Sequence, residues 1–288
     1  MKHQTFFGIA AFLSAMLLFS PALLAAKGKK SRSDDKVSKR EIKVKPGRLE
    51  SRSALKDNVK YYGDAYYIKG IPMIDQGDRP LCAIVTVKRI VDYYNGGNSG
   101  VPVKVLGRAM RYDKSRGTNT ADLVKAIQQY SPELKLNCTV LYTAFPSYGS
   151  FSEFCRKYNA QAGERSQIEL PREEYLAYGL TPAIKTIDYR IFRKVRTDDP
   201  QRRDLLKQVT RTVKQGIPVF WTVNLGLYKE SGVKFPPGGH ARLIIGFNEK
   251  SNEIIYSDSW GSAHARKSMP WNDAFAITTG MLALSPRR

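Results

Sequence analysis

The sequence predicts an α+β fold in which helices come first and an antiparallel sheet follows, and two observations carry most of that reading. Apolar residues at Ala83, Val87, Ile90, Val91 and Tyr94 recur at helical spacing along one face. Far downstream, the apolar runs Ala241 to Phe247 and Ile254 to Tyr256 flank the polar turn Asn248 to Glu253 and read as an antiparallel hairpin.

The elements follow in order. The turn residues Gly77 to Pro80 precede the first long helix, and Asn95-Gly96-Gly97 ends it. Thr120 to Gln129 reads as a capped helix with Leu123, Val124 and Ile127 inside, and Leu136 to Tyr142 as a strand. Phe151 to Tyr158 is expected as a short helix. Pro182 to Val195 mixes Ile and Tyr with Lys and Arg, as a half-exposed strand would. Pro200 to Gln215 reads as a helix that buries Leu205, Leu206, Val209 and Val213 and closes at Gly216. Ile217 to Val223 is expected as a buried strand. No internal repeat is visible.

The chain has 288 residues, 42% of them hydrophobic, with 16 Tyr and 12 Phe, which excludes disorder throughout and allows one or two domains. Lys2, the apolar run Phe6 to Phe19 and Pro21 ahead of Ala25-Ala26 read as a secretory signal peptide over 1–26, cleaved after Ala25 or Ala26. A retained membrane anchor is the competing reading. Residues 27–60 hold 13 Lys/Arg and 5 Asp/Glu with few large apolar side chains, and are expected to be a flexible basic tether. That stretch (net +8) and Lys2 together hold +9 of the formal +21, leaving +12 for the globular segment 61–288. The remaining charge is scattered, with no phosphate loop or zinc-ligand spacing beside it. It suits an anionic surface or acidic substrates rather than specific nucleic-acid binding.

An exported chain with three cysteines, Cys82, Cys138 and Cys155, suggests one bridge and one free thiol. Cys138 and Cys155 are the candidate disulfide and Cys82 the leftover; three buried hydrophobic thiols is the alternative. Cys82 falls in the first turn of the helix, where unpaired amides and the positive dipole end favour a thiolate. Of the three histidines, His240 opens a strand after a Pro/Gly turn, and Asp258 closes the partner strand of the same hairpin. One end of the hairpin therefore presents both side chains, and a carboxylate beside an imidazole fixes its tautomer and strengthens it as a base.

These residues resemble the papain-like cysteine peptidases. Gln76 stands six positions before Cys82, as the oxyanion-hole Gln does in that family, His240-Ala241 is similar to its His strand, and Ser257-Asp258-Ser259-Trp260-Gly261 is similar to its Asn-Ser-Trp-Gly segment. An Asp as third member most resembles the bacteriocin-processing (double-glycine) branch, as do the stretches from Gly117 to Ile127 and from Leu206 to Phe220. The likeness spans roughly residues 70–286. One departure is Ala83-Ile84-Val85 after the Cys, where that branch commonly has Gly-Pro-Ala.

The resemblance implies a papain-like fold, with the catalytic helix packed on a C-terminal antiparallel sheet, and an exported hydrolase of protein or peptide substrates that uses no cofactor or metal. It implies Cys82, His240 and Asp258 as catalytic residues and Gln76 as oxyanion-hole donor. Trp260 is a candidate shield for the His240–Asp258 bond. Arg79, close to Cys82, reads either as a support for its thiolate or as a solvated turn residue, and His264 reads as solvated. A transglutaminase-like acyl transferase and a catalytically silent papain-like binding protein are the alternatives. A small Cys-His peptidoglycan hydrolase fits poorly, because His240 follows Cys82 by 158 positions.

Overall fold

The hairpin read at 241–256 is the centre of the molecule. The computed structural model describes residues 52–113, 120–173, 180–231, 233 and 237–287, together with Lys39, Glu41, Ile42 and Val44. Strand β5 (Gly238–Asn248) is buried along nearly its whole length and pairs antiparallel with β6 (Glu253–Ser257), which in turn pairs with β7 (Lys267–Pro270). On its other edge β5 meets β4 (Val219–Leu225) through residues 238–244 and then β2 (Ala65–Ile68) through residues 246–248. Strand β1 (Val59–Tyr62) pairs with β2, and β8 (Thr278–Pro286) bridges β4 to β3 (Leu136–Thr143). The resulting eight-stranded antiparallel sheet runs β1-β2-β5-β4-β8-β3, with β6 and β7 beside β5.

A shared edge on β5 needs a close approach where β2 joins. A Cβ at Gly246 would lie 2.3 Å from the Tyr66 carbonyl oxygen and 2.7 Å from Tyr67 Cβ, so only glycine lets the two backbones meet there.

Helix α2 (Cys82–Tyr94), preceded by α1 (Arg52–Asp57), packs against β5. The sequence assigned α2 one apolar face, yet every residue from Ala83 to Tyr94 is buried. Its polar residues are satisfied internally: Lys88 pairs with Asp92, Asp92 accepts from the Ser99 backbone N–H at 2.8 Å, and Arg89 reaches across to the sheet. Burying such groups is tolerable only when each finds a partner. Tyr94 Oη also donates to the Leu284 carbonyl on β8 at 2.7 Å.

Helices α3 (Val103–Ala109), α4 (Thr120–Gln129) and α5 (Ser131–Leu134) precede β3, and α6 (Tyr148–Asn159) follows it. Ser147 caps α6 through a reciprocal pair of hydrogen bonds with Ser150, which extends that helix three residues before the expected Phe151 start. Helix α8 (Gln201–Lys214) buries Leu205, Val209 and Val213 as expected, while Leu206, also expected inside, is only half-buried, and α9 (Trp271–Ile277) leads into β8.

Two expectations are corrected. Residues 182–195 are not a strand: a short 3₁₀ turn (Thr181–Ala183) is followed by helix α7 (Tyr189–Thr197). Asp188 caps α7 by accepting from the Arg190 and Ile191 N–H groups, and Phe192 and Arg196, four apart, form its buried stripe. Arg196 is buried among Tyr142, Phe145 and Phe275 and donates to the Ala276 and Thr278 carbonyls, so its charge is internal. The basic stretch 27–60 is also not free to its end. Ile42, Val44 and Leu55 are buried, Arg52–Asp57 is helical, and the Leu55 carbonyl sits against Gly216. The expected signal peptide at 1–26 and most of the expected tether lie outside the described residues.

Candidate active site

The first turn of α2 begins at Cys82 with Leu81 before it (φ −97°, ψ 7°) and no side chain capping the amides. Those amides therefore remain available to an anion. Burial alone would push the Cys82 thiol up, but a hydrogen bond and the charge of His240, with the backbone at Ala241 and Ala83, outweigh it and hold the thiol below its ordinary range.

His240 lies on β5 opposite Val223 of β4, and Asp258 lies one residue past the end of β6, whose last residue Ser257 pairs with Leu243. The hairpin register thus brings the two side chains together: His240 Nε2 and Asp258 Oδ1 are 2.6 Å apart, both residues almost wholly buried. With Nε2 committed to Asp258, Nδ1 is the ring nitrogen left for Cys82. Burial would lower the His240 pKa, but Asp258 and Cys82 overcome it and raise it. Asp258 shows the converse. Burial would raise its carboxyl, and His240, Arg242 and the Ser259 N–H (2.8 Å) keep it below the usual carboxylate range.

Gln76 is buried in the loop ahead of α2 and is tied to the segment after Asp258. Its backbone N–H donates to the Ser259 carbonyl at 2.9 Å and its Oε1 accepts from Ser259 Oγ at 2.5 Å. Its Nε2 donates to the Arg79 carbonyl at 2.9 Å, which leaves its second amide N–H. Trp260 stacks on the His240 ring, 4.2 Å between centroids and 12° from parallel. His264 meets the far side of Trp260 edge-on at 5.8 Å, and its carbonyl accepts from the Asp258 N–H at 2.9 Å. It is half-buried rather than the solvated loop histidine expected, and burial, with Lys267 nearby, lowers its pKa. Arg79 is exposed, as its turn position suggests.

The candidate disulfide is corrected: Cys138 and Cys155 are both free, one on β3 and the other buried on α6. Burial pushes their thiols up to about 11 and about 12. Among the described residues no group of three or more His, Cys, Asp or Glu side chains is placed to hold a metal ion.

Several site residues escaped the sequence reading. Arg89, seven positions after Cys82 and so on the same face of α2, donates to Pro72 O (2.7 Å), Asp258 O (3.0 Å) and Ser257 Oγ (2.5 Å). Arg242, two positions after His240 on β5, sits against Asp258 and Glu230. Its signal was a lone cation inside an otherwise apolar strand run, where a charge needs a buried partner.

An N-terminal helix bearing the thiol, set against an antiparallel sheet bearing the imidazole and carboxylate, is the papain-like cysteine peptidase class of fold. Residues 68–278 match the model of the Peptidase_C39 like family, and the chain belongs to that family. A crystal structure from Bacillus anthracis, assigned as C39-like peptidase, is similar at 10% identity with a TM-score of 0.41, covering 77% of this chain and 97% of its own. No curated protein matches this sequence. The family suggests a cysteine peptidase acting on protein substrates. No helix among the described residues is long and apolar enough to cross a membrane.

Proposed function

We propose that the protein is an exported cysteine peptidase that hydrolyses peptide bonds with Cys82 as nucleophile, His240 as general base and acid, and Asp258 as the group that orients His240. The observation that carries the reading is the buried His240 Nε2–Asp258 Oδ1 contact at 2.6 Å, with the Cys82 thiol at the start of α2 beside His240. A lowered thiol and a raised imidazole both favour transfer of the thiol proton to His240.

The thiolate attacks the scissile carbonyl carbon, and the carbonyl electrons move to its oxygen. The Cys82 backbone N–H and the uncommitted amide N–H of Gln76 stabilise that oxyanion, a kind of donor whose loss costs on the order of 10²–10³ in rate. His240 gives its proton to the leaving amine, producing a thioester on Cys82. It then takes a proton from water, which attacks the thioester and releases the acid. Asp258 keeps Nε2 protonated and Nδ1 facing sulfur throughout. Export is supported by the leader-like residues 1–26, and the basic stretch after it offers contact with an anionic surface.

Labelling the mature protein with an epoxysuccinyl thiol probe, mapped by mass spectrometry, tests the reading together with hydrolysis of a peptide library. Selective modification of Cys82 and loss of both hydrolysis and labelling in Cys82→Ala are expected. Cleavage that survives Cys82→Ala overturns the assignment. Transfer of the acyl group to added amines without hydrolysis would make the protein an acyl transferase.

A further inference from the structure

We propose that Arg242 is a positioning residue for the Asp258–His240 pair, and that Glu230 holds Arg242 in that role. The inference rests on the reading of Cys82, His240 and Asp258 as a triad.

Strand geometry puts residues two apart on the same face, so Arg242 and His240 project together from β5. The Arg242 side chain is wholly buried, between the rings of Trp221 (5.8 Å), Tyr256 (4.9 Å) and Trp260 (5.9 Å). The three rings attract the guanidinium by cation–π contact, but a buried ion pair is weak evidence for stability because apolar replacements are often neutral or better. The arrangement of the carboxylates suggests another use.

The two oxygens of Asp258 have separate duties. Oδ1 receives His240 Nε2 at 2.6 Å and the Ser259 N–H at 2.8 Å, while Oδ2 faces Arg242 Nε at 2.7 Å, an ion pair off the ideal hydrogen-bond axis. Engaged from both sides, the carboxylate cannot rotate away from His240 without losing one charged partner. Arg242 is secured from behind by Glu230, whose oxygens lie 2.9 and 2.8 Å from Nη1 and which also accepts from Tyr256 Oη at 2.6 Å. Burial would weaken the guanidinium charge, but Asp258 and Glu230 more than restore it. The other charged or titratable groups that act on Asp258 or Arg242 are His240, Arg89 from α2, Tyr256 on β6 and His264; Cys82 acts on His240, and Lys267 and Asp75 on His264.

Removing a cation beside Asp258 raises the pH at which that carboxyl protonates. A neutral Asp258 no longer supports a charged His240, so as pH falls the Cys82 thiolate is lost at a higher pH. The test is the pH dependence of Cys82 alkylation by iodoacetamide, read on the Cys82 peptide, together with kcat and KM for a peptide substrate. It compares the unaltered protein with Arg242→Met, Arg242→Lys and the double variant Arg242→Met, Glu230→Gln. The double variant removes both buried charges and keeps an acceptor for Tyr256, so it guards against misfolding of the single one.

Expected for Arg242→Met and for the double variant is an acid limb about one pH unit higher, with kcat at neutral pH lower by about tenfold and KM unchanged. Arg242→Lys, which keeps the charge, should return most of the shift. Folded variants whose acid limb coincides with that of the unaltered protein would reduce Arg242 to core filling and overturn the proposal. If the unaltered protein shows no lowered acid limb at Cys82, the triad reading fails instead.

Discussion

Arg89 Nη1 donates to the Asp258 carbonyl oxygen at 3.0 Å, so the helix that begins at Cys82 is fastened directly to the strand end that carries Asp258. The same guanidinium holds Ser257 Oγ and the Pro72 carbonyl, which links α2, the end of β6 and the loop leading to Gln76. Cys82 and the His240–Asp258 pair come from segments about 160 residues apart in sequence. A single buried side chain ties their supports together.

Arg89→Met should therefore cost about 3 kcal/mol, because it leaves the Pro72 and Asp258 carbonyls and Ser257 Oγ buried without their donor. Urea unfolding of the purified protein measures this. A loss below about 1 kcal/mol would mean that water takes over the three acceptors.

Cys82 should be the one thiol that alkylates readily at neutral pH. Its pKa is lowered and its reactivity is retained below the ordinary thiol range of about 8.5, fading as pH falls through its own value. Cys138 and Cys155, pushed up to about 11 and about 12, should stay unmodified in the folded state. Mass-spectrometric counting of carbamidomethyl groups from pH 5 to 9 checks both statements. In His240→Ala the Cys82 profile should move up toward that of a buried thiol, since burial is the largest influence left.

Trp260→Ala should lower kcat by about tenfold, equivalent to about 1.4 kcal/mol in the barrier, while KM changes little. The indole covers one face of the His240 ring at 4.2 Å, and the prediction rests on that cover keeping water from the His240–Asp258 hydrogen bond. Trp260→Phe, which preserves a stacked ring, should recover most of the loss. Steady-state kinetics of the two variants separate shielding from simple packing.

Gly246→Ala should destabilise the fold by about 3 kcal/mol, since the new methyl would meet the Tyr66 carbonyl oxygen at 2.3 Å. The strain falls where β2 joins β5, so loss of β1–β2 pairing is expected before loss of the β4–β5 register. Hydrogen exchange at Tyr66 and Phe247, compared with Leu243, checks the order.

Local chemistry was legible wherever one segment decided it alone. The helix from Cys82, the helix at Thr120–Gln129, the β5–β6 hairpin and the helix before Gly216 all carry their own periodicity and stop signals. Residues 182–195 misled because Lys and Arg are interspersed among Ile, Tyr and Phe. The pair Phe192 and Arg196 becomes decisive only once Phe154 and Tyr158 lie against Phe192, and Tyr142 and Phe275 against Arg196. The β1–β2 hairpin went unread because its hold on the sheet is the close approach to Gly246, which no local pattern announces.

The sequence by itself determined which residue types are present for chemistry and their order along the chain. Helix-start signals set the thiol at Cys82, and hairpin register set His240 and Asp258 at one end, because those features depend on neighbours within about twenty residues. Only the tertiary structure decided how the two groups meet and what supports them. Arg89, Arg242, Glu230 and Ser259 read as ordinary polar residues until the folded core buries their side chains. Once water is excluded each must find a partner, and the partners they find surround Asp258.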